Sequence, residues 1–148
     1  MAQAQELEVA SAVRIHRELL LDTCILISEF NSRTGMQTIR LIPRAQRRTS
    51  VLALWEFLHG TGGATLGQAM RTVREGWLDD HGIQQMPLHP DCSKSFNSLL
   101  RLSDAPPGAV DCLLAAECLA RGWPLVTANL DDFRRVRGLK LVPPVPPP

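Results

Sequence analysis

Short runs of apolar residues alternate along this chain with longer stretches in which apolar residues recur every three or four positions. The short runs are typical of buried strands, and the longer stretches predict amphipathic helices. The predicted strands are 19–21, 83–88, 125–127 and 139–142, and the predicted helices are 50–59, 65–80, 91–100, 108–121 and 131–137. Because strands that alternate with helices form βαβ units, we predict an α/β domain in three layers, with a central, mainly parallel sheet flanked by helices.

This domain is predicted to occupy residues 18–142, between an N-terminal extension (1–17) and a proline-rich tail (143–148). The extension holds at most a marginal helix. Prolines lack the backbone N–H that pairs in a sheet, so we expect the tail to be extended and mobile. The segment 31–49 has no clear periodicity and gives no firm prediction.

Composition narrows the class of protein. The chain has 148 residues, 16 of them basic and 15 acidic, with a formal net charge of +1. This length fits one domain, and the near-neutral net charge excludes a histone-like basic arm or an acidic tail.

We expect no membrane association, because no apolar run approaches the about 20 residues that are needed to cross a bilayer. The start of the chain lacks the basic region of a secretory signal, and no cysteines form a C-x-x-C pair, so we expect a cytoplasmic protein with reduced thiols.

Acidic and amide side chains lie at the ends of predicted strands and on predicted helices. Asp22 follows the first apolar run and Asn129 follows 125–127, while Asp111 begins one helix and Glu56 lies within another. Ligands of open parallel sheets bind at the C-terminal ends of the strands, where these side chains could converge. Taken singly, each has an ordinary explanation as a helix cap, a dipole partner or a solvated side chain.

Carboxylates that converge cannot all stay ionised without a cation, because like charges at short range raise one another's pKa values. A hard divalent ion removes that conflict, and Mg²⁺ and Mn²⁺ prefer oxygen ligands. Carboxylates without a histidine or serine base suit metal-assisted phosphate chemistry, in which water attacks a phosphodiester. If the sheet brings the acids together, the set predicts a Mg²⁺ or Mn²⁺ site.

Four segments together resemble the PIN-domain ribonucleases, and most closely the VapC toxins of bacterial toxin–antitoxin pairs. The resemblance covers about residues 18–142, and its C-terminal half is the most specific part. The segments are Leu20-Leu21-Asp22-Thr23-Cys24, Ser50 with Glu56 and Gly60, Asp111-Cys-Leu-Leu-Ala-Ala116, and Val126-Thr127-Ala-Asn129-Leu-Asp-Asp132-Phe133.

The resemblance implies a PIN-like domain with divalent-metal-dependent endoribonuclease activity, acting through Mg²⁺ or Mn²⁺ as a toxin that inhibits translation. Its partners would be an RNA substrate, a VapB-like antitoxin and a second copy in a homodimer. Asp22, Glu56 and Asp111 correspond to the acids that ligate metal and position the attacking water, and Asn129 falls on a fourth catalytic position that is often Asp. The groups expected to orient these residues or their waters, or to add charge, are Thr23, Ser50, Thr127, Asp131 and Asp132.

The chain departs from the family pattern in three places. It begins earlier than a compact family member would, with the N-terminal extension 1–17. Cys24 stands where Asn is commoner. Residues 46–49, before Ser50, are polar where the family has an apolar strand, and the apolar run 39–42 comes earlier. A loop is therefore inserted here or the strand is displaced.

Five arginines fall between Asn31 and Ser50 with no acidic residue among them. Such a group favours an anionic partner, because arginines that contact phosphates would offset the repulsion between RNA and a carboxylate centre. The predicted RNA-binding residues are Arg33, Arg40, Arg44, Arg47 and Arg48.

Other functions stay open or are disfavoured. The main alternative is a catalytically weak or inactive PIN-like domain that binds RNA or protein. A haloacid-dehalogenase-type phosphatase is disfavoured, because Cys24 stands where that class has its second Asp. A zinc site at His89 and Cys92, with His81 nearby, is disfavoured, because the sequence offers no fourth compact ligand.

Overall fold

The computed structural model describes residues 3–60, 65–94, 96 and 108–146. In chain order its strands are β1 (Gln5–Glu6), β2 (Leu19–Leu21), β3 (Arg47–Ser50), β4 (Gln84–Met86), β5 (Leu125–Val126) and β6 (Lys140–Val142). The helices are α1 (Val9–Ile15), α2 (Thr23–Phe30), α3 (Val51–His59), α4 (Gln68–Asp80), α5 (Ala109–Arg121) and α6 (Leu130–Phe133), with 3₁₀ turns at Ile39–Leu41 and Arg44–Gln46. Residues 92–94 and 96 are also helical.

The strands form one six-stranded sheet in the order β1-β6-β5-β2-β3-β4. Every strand pair in it is parallel. The central strand β2 pairs with β3 on one side, where Leu20 lies opposite Arg48, and with β5 on the other, where Leu20 lies opposite Leu125. The α/β architecture with a parallel central sheet, predicted from the alternation of strands and helices, is confirmed.

The side chains of the central strands alternate between two cores. Leu19, Leu21 and Val126 belong to the core that also contains residues of α1–α4. Leu20 and Leu125 belong to the opposite core, which contains residues of α5 and α6. This period of two is the ordinary consequence of strand geometry, and it gives three layers with α1–α4 on one face of the sheet and α5 and α6 on the other.

Strand β3 is polar although it lies inside the sheet. Arg47 is 7% exposed, and its guanidinium donates to the carbonyls of Ile42 at 2.8 Å and His81 at 2.6 Å. The hydroxyl of Thr49 donates to the carbonyl of Leu21 at 3.1 Å. The polar side chains are therefore satisfied by neighbouring backbone, as burial requires. The strand stands directly before α3, and the earlier apolar run 39–42 forms a 3₁₀ turn instead.

The N-terminal extension is more ordered than its sequence suggests. Its strand β1 pairs with β6, with Gln5 opposite Lys140. The following helix α1 buries Val9 and Ala12 in the core. These contacts add a sixth strand to the sheet outside the predicted domain 18–142.

The described part of the proline-rich tail, 143–146, lies against the protein. The backbone N–H of Val145 donates to Thr38 Oγ1 at 2.9 Å, and its side chain packs against the core. The four cysteines are not bridged in the structure, and Cys92, Cys112 and Cys118 are buried. Within the ranges described, no helix combines the length and the apolar character needed to cross a bilayer. The predicted helix positions 99 and 100 lie outside the described residues.

Replacing Arg47 with Ala is expected to lower the free energy of unfolding by about 2–3 kcal/mol, because the buried carbonyl of Ile42 and the half-buried carbonyl of His81 lose a charged donor. The matched control is Arg40→Ala, which removes an exposed arginine and should change stability by less than about 0.5 kcal/mol. Urea unfolding of both variants measures the difference. Equal losses in the two variants would contradict the role assigned to Arg47.

Candidate functional site

The C-terminal ends of β2 and β5 lie side by side, because the two strands pair in parallel with Leu21 opposite Val126. The next residue of each strand is polar and buried: Asp22 is 5% exposed and Thr127 is 0% exposed. The Thr127 hydroxyl donates to Asp22 Oδ2 at 2.8 Å. The strand register thus joins two residues that are distant in sequence into one hydrogen-bonded pair.

Asp22 makes contacts through both of its oxygens. Oδ1 accepts the backbone N–H of Thr23 at 2.7 Å, so Asp22 is also the N-cap of α2. The Cys24 thiol lies 3.5 Å from Oδ2. Burial raises the pKa of Asp22, and the hydrogen bonds from Thr127, Thr23 and Cys24 act in the opposite direction. The helix-cap explanation is therefore correct, and it leaves the carboxylate buried at a strand end.

Two further carboxylates approach Asp22 from helices. Glu56 lies on α3, and Asp111 lies in the first turn of α5. Burial raises the pKa of Glu56, and the charges of Asp22 and Asp111 raise it further. The pKa of Asp111 is likewise raised by burial and then by Asp22 and Asp132. The structure therefore brings Asp22, Glu56 and Asp111 into one electrostatic neighbourhood.

The start of α3 is fixed by two hydroxyl groups. Ser50 caps the helix, and its Oγ accepts the N–H groups of Leu52 at 3.0 Å and Ala53 at 3.3 Å. The Thr23 hydroxyl donates to the carbonyl of Ala53 at 3.4 Å. Ser50 and Thr23 thus act on the helix that carries Glu56.

Thr127 also orders the turn after β5. Its Oγ1 accepts the backbone N–H of Asn129 at 3.0 Å, while the side chain of Asn129 is at the exposed surface. The sulfur of Cys24 lies 3.6 Å from Thr127 Oγ1 and accepts the N–H of Ala128 at 3.4 Å. No sequence pattern indicates these contacts of Cys24, because the thiol and this turn lie 103 to 104 positions apart in the chain.

The two acids of α6 are in different situations. Asp131 is exposed and pairs with Arg134 at 2.6 Å, so its charge is partly offset. Asp132 is also exposed, but its charge contributes to the raised pKa values of Asp22 and Asp111. Of these two predicted residues, Asp132 is the one that acts on the carboxylate cluster.

A comparison with protein families adds an independent observation. The sequence matches the model of the PIN domain over residues 19–139. The chain belongs to the PIN domain family. The matched segment includes Asp22, Glu56, Asp111 and Asn129, although the match itself assigns none of them a role.

Solved structures share the fold of this PIN domain at low sequence identity. VapBC2 from Rickettsia felis, bound to a promoter DNA fragment, has a TM-score of 0.71 and 20% identity, covering 84% of this chain and 97% of that chain. DNA-bound VapBC from Salmonella typhimurium has a TM-score of 0.71 and 20% identity, covering 86% and 98%. VapBC-5 from Mycobacterium tuberculosis has a TM-score of 0.62 and 20% identity, covering 86% and 99%. No curated protein sequence gives a significant match.

The carboxylates of this PIN domain suit a hard divalent cation by their chemistry. They are oxygen donors, and like charges raise their pKa values. Across the described ranges, no three His, Cys, Asp or Glu side chains are close enough to enclose one ion, and this includes the zinc candidates His89 and Cys92. Mg²⁺ keeps several waters and binds proteins through one or two carboxylates, so a looser arrangement still fits it.

The five arginines predicted to bind RNA do not form one equivalent set. Arg44, Arg47 and Arg48 donate to backbone carbonyls of the protein. Arg33, Arg40 and Arg44 are exposed. RNA binding by the five residues stays a prediction, and Arg33 and Arg40, which are exposed and do not belong to the three that bond these carbonyls, are the best available to a phosphate group.

One acid near the site was missed. Glu117 lies on α5 and is fully buried, although a helical glutamate is ordinarily solvated. A sequence signal existed, because Glu117 follows Leu114 by three positions and precedes Cys118, which places it on the apolar face of the helix.

Replacing Glu56 with Gln is expected to stabilise the metal-free protein at about pH 7. The pKa of Glu56 is raised above its ordinary value of 4.5, so the folded state binds a proton more readily than the unfolded state. The free energy of unfolding therefore falls as the pH rises from the ordinary pKa of Glu56 to its raised pKa in the folded state. Gln carries no charge, so the variant does not show this fall.

The stability that Glu56→Gln gains over the wild type should shrink as the pH approaches about 4, where Glu56 is protonated in the unfolded chain as well. Thermal unfolding in a chelator between about pH 4 and pH 7 measures this gain. Glu75→Gln, at an exposed position of α4, is the control and should show no such trend. A lower melting temperature for Glu56→Gln at neutral pH would contradict the interpretation.

Proposed function

We propose that this PIN domain is an endoribonuclease that requires Mg²⁺ or Mn²⁺ and hydrolyses RNA phosphodiesters. The observation that carries the proposal is the buried Asp22 carboxylate at the C-terminal edge of the parallel sheet, whose charge raises the pKa values of Glu56 and Asp111. Burial and neighbouring carboxylates raise the pKa values of these three groups, and no cation within the described part of the chain contributes to lowering them. Carboxylates held together without a counter-charge are typical of functional sites.

Asp22, Glu56 and Asp111 would bind the ion, one or two of them directly and the rest through its waters, and would orient the attacking water. When bound, the ion would lower the pKa of water and neutralise charge on the phosphodiester. The Thr127 hydroxyl favours ionised Asp22 by donating to Oδ2. Asn129 and Asp132, which are both exposed, would contact water or substrate.

The substrate is proposed to be RNA held partly by arginine. A carboxylate centre repels a polyanion, so cations at the rim are needed to bind it. Arg33 and Arg40 are exposed on the segment between α2 and β3, whereas the third exposed arginine of this segment, Arg44, donates to the carbonyl of Asp80 at 2.6 Å.

We also propose that the chain is the toxin of a toxin–antitoxin pair, acting in the cytoplasm to inhibit translation. The similar structures from R. felis, S. typhimurium and M. tuberculosis are VapBC proteins, and FitAB shares the fold with a TM-score of 0.65 and 15% identity. Their fold supports the proposal of a VapB-like antitoxin as partner. A homodimer is part of the same proposal.

An inactive PIN-like domain that binds RNA is the second candidate. Asn129 supports this candidate, because the VapC toxins that the chain resembles often have an acid at this position, and here an amide replaces it. The two candidates differ in whether metal-dependent cleavage occurs.

RNA cleavage by the purified chain is expected to require Mg²⁺ or Mn²⁺ and to stop in EDTA. Asp22→Asn and Asp111→Asn should each lower the rate by at least about 100-fold, since each removes a charge that acts at the reacting centre. Asn is itself a good N-cap, so the first variant should still fold. The control is Asp79→Asn at an exposed position of α4.

Gel analysis of a labelled RNA mixture measures this cleavage. Cleavage that survives both EDTA and the two substitutions would refute the proposed chemistry. Tight RNA binding without metal-dependent cleavage would favour the binding-domain candidate.

Induced expression of the chain in a bacterial host is expected to arrest growth and protein synthesis. Asp111→Asn, produced at the same level, should allow growth, because a toxin of this kind acts through its chemistry. Incorporation of labelled amino acids gives the readout. Arrest by both proteins would show that toxicity does not depend on the carboxylate site.

A further inference from the structure

Trp55 is a large aromatic side chain at the surface of α3. It is 63% exposed, although tryptophan is highly buried on average in folded proteins. Its ring stacks on that of His59, with centroids 3.9 Å apart and an angle of 27° between the planes. His59 therefore covers one face of the indole, and the large exposed fraction of Trp55 leaves the other face open to solvent. We call this pair of stacked rings the aromatic platform.

The aromatic platform shares one side of α3 with a proposed metal ligand. The residues at helical spacing on this side are all exposed or half-buried, and they are Leu52, Trp55, Glu56 and His59. Ala53 and Phe57, at 1% and 0% exposure, lie on the side of the helix that packs into the protein. The open ring of Trp55 and the carboxylate of Glu56 are thus neighbours on one helix surface.

The start of α3 lies beside the strand end that carries Asp22. The hydroxyl of Thr23, the next residue, donates to the carbonyl of Ala53 in the first turn of α3 at 3.4 Å. His59 follows Trp55 by one turn, so its ring covers the indole from the C-terminal side of the helix. The open face of Trp55 is therefore turned towards the start of α3, where the sheet edge with Asp22 lies.

A flat aromatic face beside a carboxylate suits a nucleobase better than a protein partner. The cores of protein interfaces are depleted of charged residues, and a protein that covered Trp55 would bring its apolar surface against Glu56. An unpaired base offers its own flat face to an aromatic side chain, while its ribose and phosphate stay in water. The phosphate would then lie on the side of the carboxylates.

We propose that Trp55, supported by His59, stacks on an unpaired base of the RNA substrate, in a nucleotide next to the phosphodiester that is cleaved. The inference rests on the proposed function for the choice of RNA as ligand. It adds a requirement to that function, because a base on the aromatic platform has left the stack of a double helix, so the site selects single-stranded RNA.

The test measures the binding of a labelled single-stranded RNA oligonucleotide to the full chain by fluorescence anisotropy in Mg²⁺. All the proteins carry Asp111→Asn, so that the RNA is not cleaved during the measurement, and the protein with this change alone is the parent. Trp55→Ala removes the stacking ring, and Trp55→Phe keeps an aromatic ring. The matched control is Ile15→Ala, which truncates an apolar side chain of similar exposure, 59%, on α1.

Trp55→Ala is expected to bind the oligonucleotide about tenfold more weakly than the parent, the typical effect of removing one stacking aromatic residue. Trp55→Phe and Ile15→Ala should stay within about threefold of the parent. Circular dichroism of each variant checks that it is folded. Equal affinities of Trp55→Ala and the parent would overturn the proposal, and so would an equal loss in Ile15→Ala.

An oligomer of abasic nucleotides tests whether Trp55 contacts a base. This oligomer keeps the phosphates and lacks every base, so no shift along the strand can restore the stack. The parent's preference for RNA over the abasic oligomer is expected to be about tenfold larger than that of Trp55→Ala, since the variant has already lost the contact. Equal preferences would overturn the proposal.

Indole fluorescence gives a measurement that does not depend on Trp55→Ala. A base that stacks on Trp55 should quench the emission of the parent, and the quenching should disappear in Trp55→Phe although this variant still binds RNA. The same quenching in both proteins would place the base elsewhere and overturn the proposal.

This proposal and the proposed function fail separately, because cleavage is assayed with the wild-type chain. Dependence of RNA binding on Trp55 without metal-dependent cleavage would refute the nuclease and leave the aromatic platform standing. Cleavage without that dependence would refute the aromatic platform alone, and a chain that binds no RNA would refute both. If Trp55→Ala instead turns a dimer into monomers in sedimentation analysis and its RNA affinity is unchanged, this face is an interface between copies, and the proposal is overturned.

Discussion

Strand β2 pairs in parallel with β3 on one side and β5 on the other, and the placement of the candidate site depends on this pairing. The register sets Leu21 opposite both Thr49 and Val126, so the three strands end at nearly the same level. Asp22 and Thr127 follow directly, and Ser50 begins the helix that carries Glu56. A slip of one residue in either pairing would turn side chains of the slipped strand towards the wrong core, and a slip between β2 and β5 would also separate Asp22 from Thr127.

The carboxylates at this edge work against the stability of the chain that holds them. Burial and like charges raise the pKa values of Asp22, Glu56 and Asp111. The fold tolerates this because Asp22 is also an N-cap and an acceptor from Thr127, so its structural contacts offset part of the cost. The same residue thus secures the start of α2 and contributes to the repulsion. A bound cation would relieve that repulsion without any change in the scaffold.

Elements whose apolar residues follow a local period could be predicted from the sequence. Elements stabilised by contacts with residues distant in the chain could not. The apolar run 19–21 and the helix at 109–121 were predictable, because their patterns follow from burial on one or two faces. Strand β3 was not, since Arg47 is accommodated by the carbonyls of Ile42 and His81, which only the folded chain brings near.

The same limit applies to the candidate site. Asp22 and Asp111 could be proposed from their positions after a strand and at a helix start. The contacts of Cys24 with Ala128 and Thr127 join opposite ends of the chain, and no local pattern reports them. Glu117 did leave a signal on the apolar face of α5, but a charged residue there is read by default as solvated.

The two edges of the sheet also have a consequence for how copies of the protein meet. Strand β1 has two residues and β4 has three, and Pro87 follows β4 directly. Such short edges offer few free N–H and C=O groups to a strand from another molecule, and proline removes one donor more. The sheet is therefore poorly suited to growing by edge-to-edge addition, the route by which exposed strands aggregate.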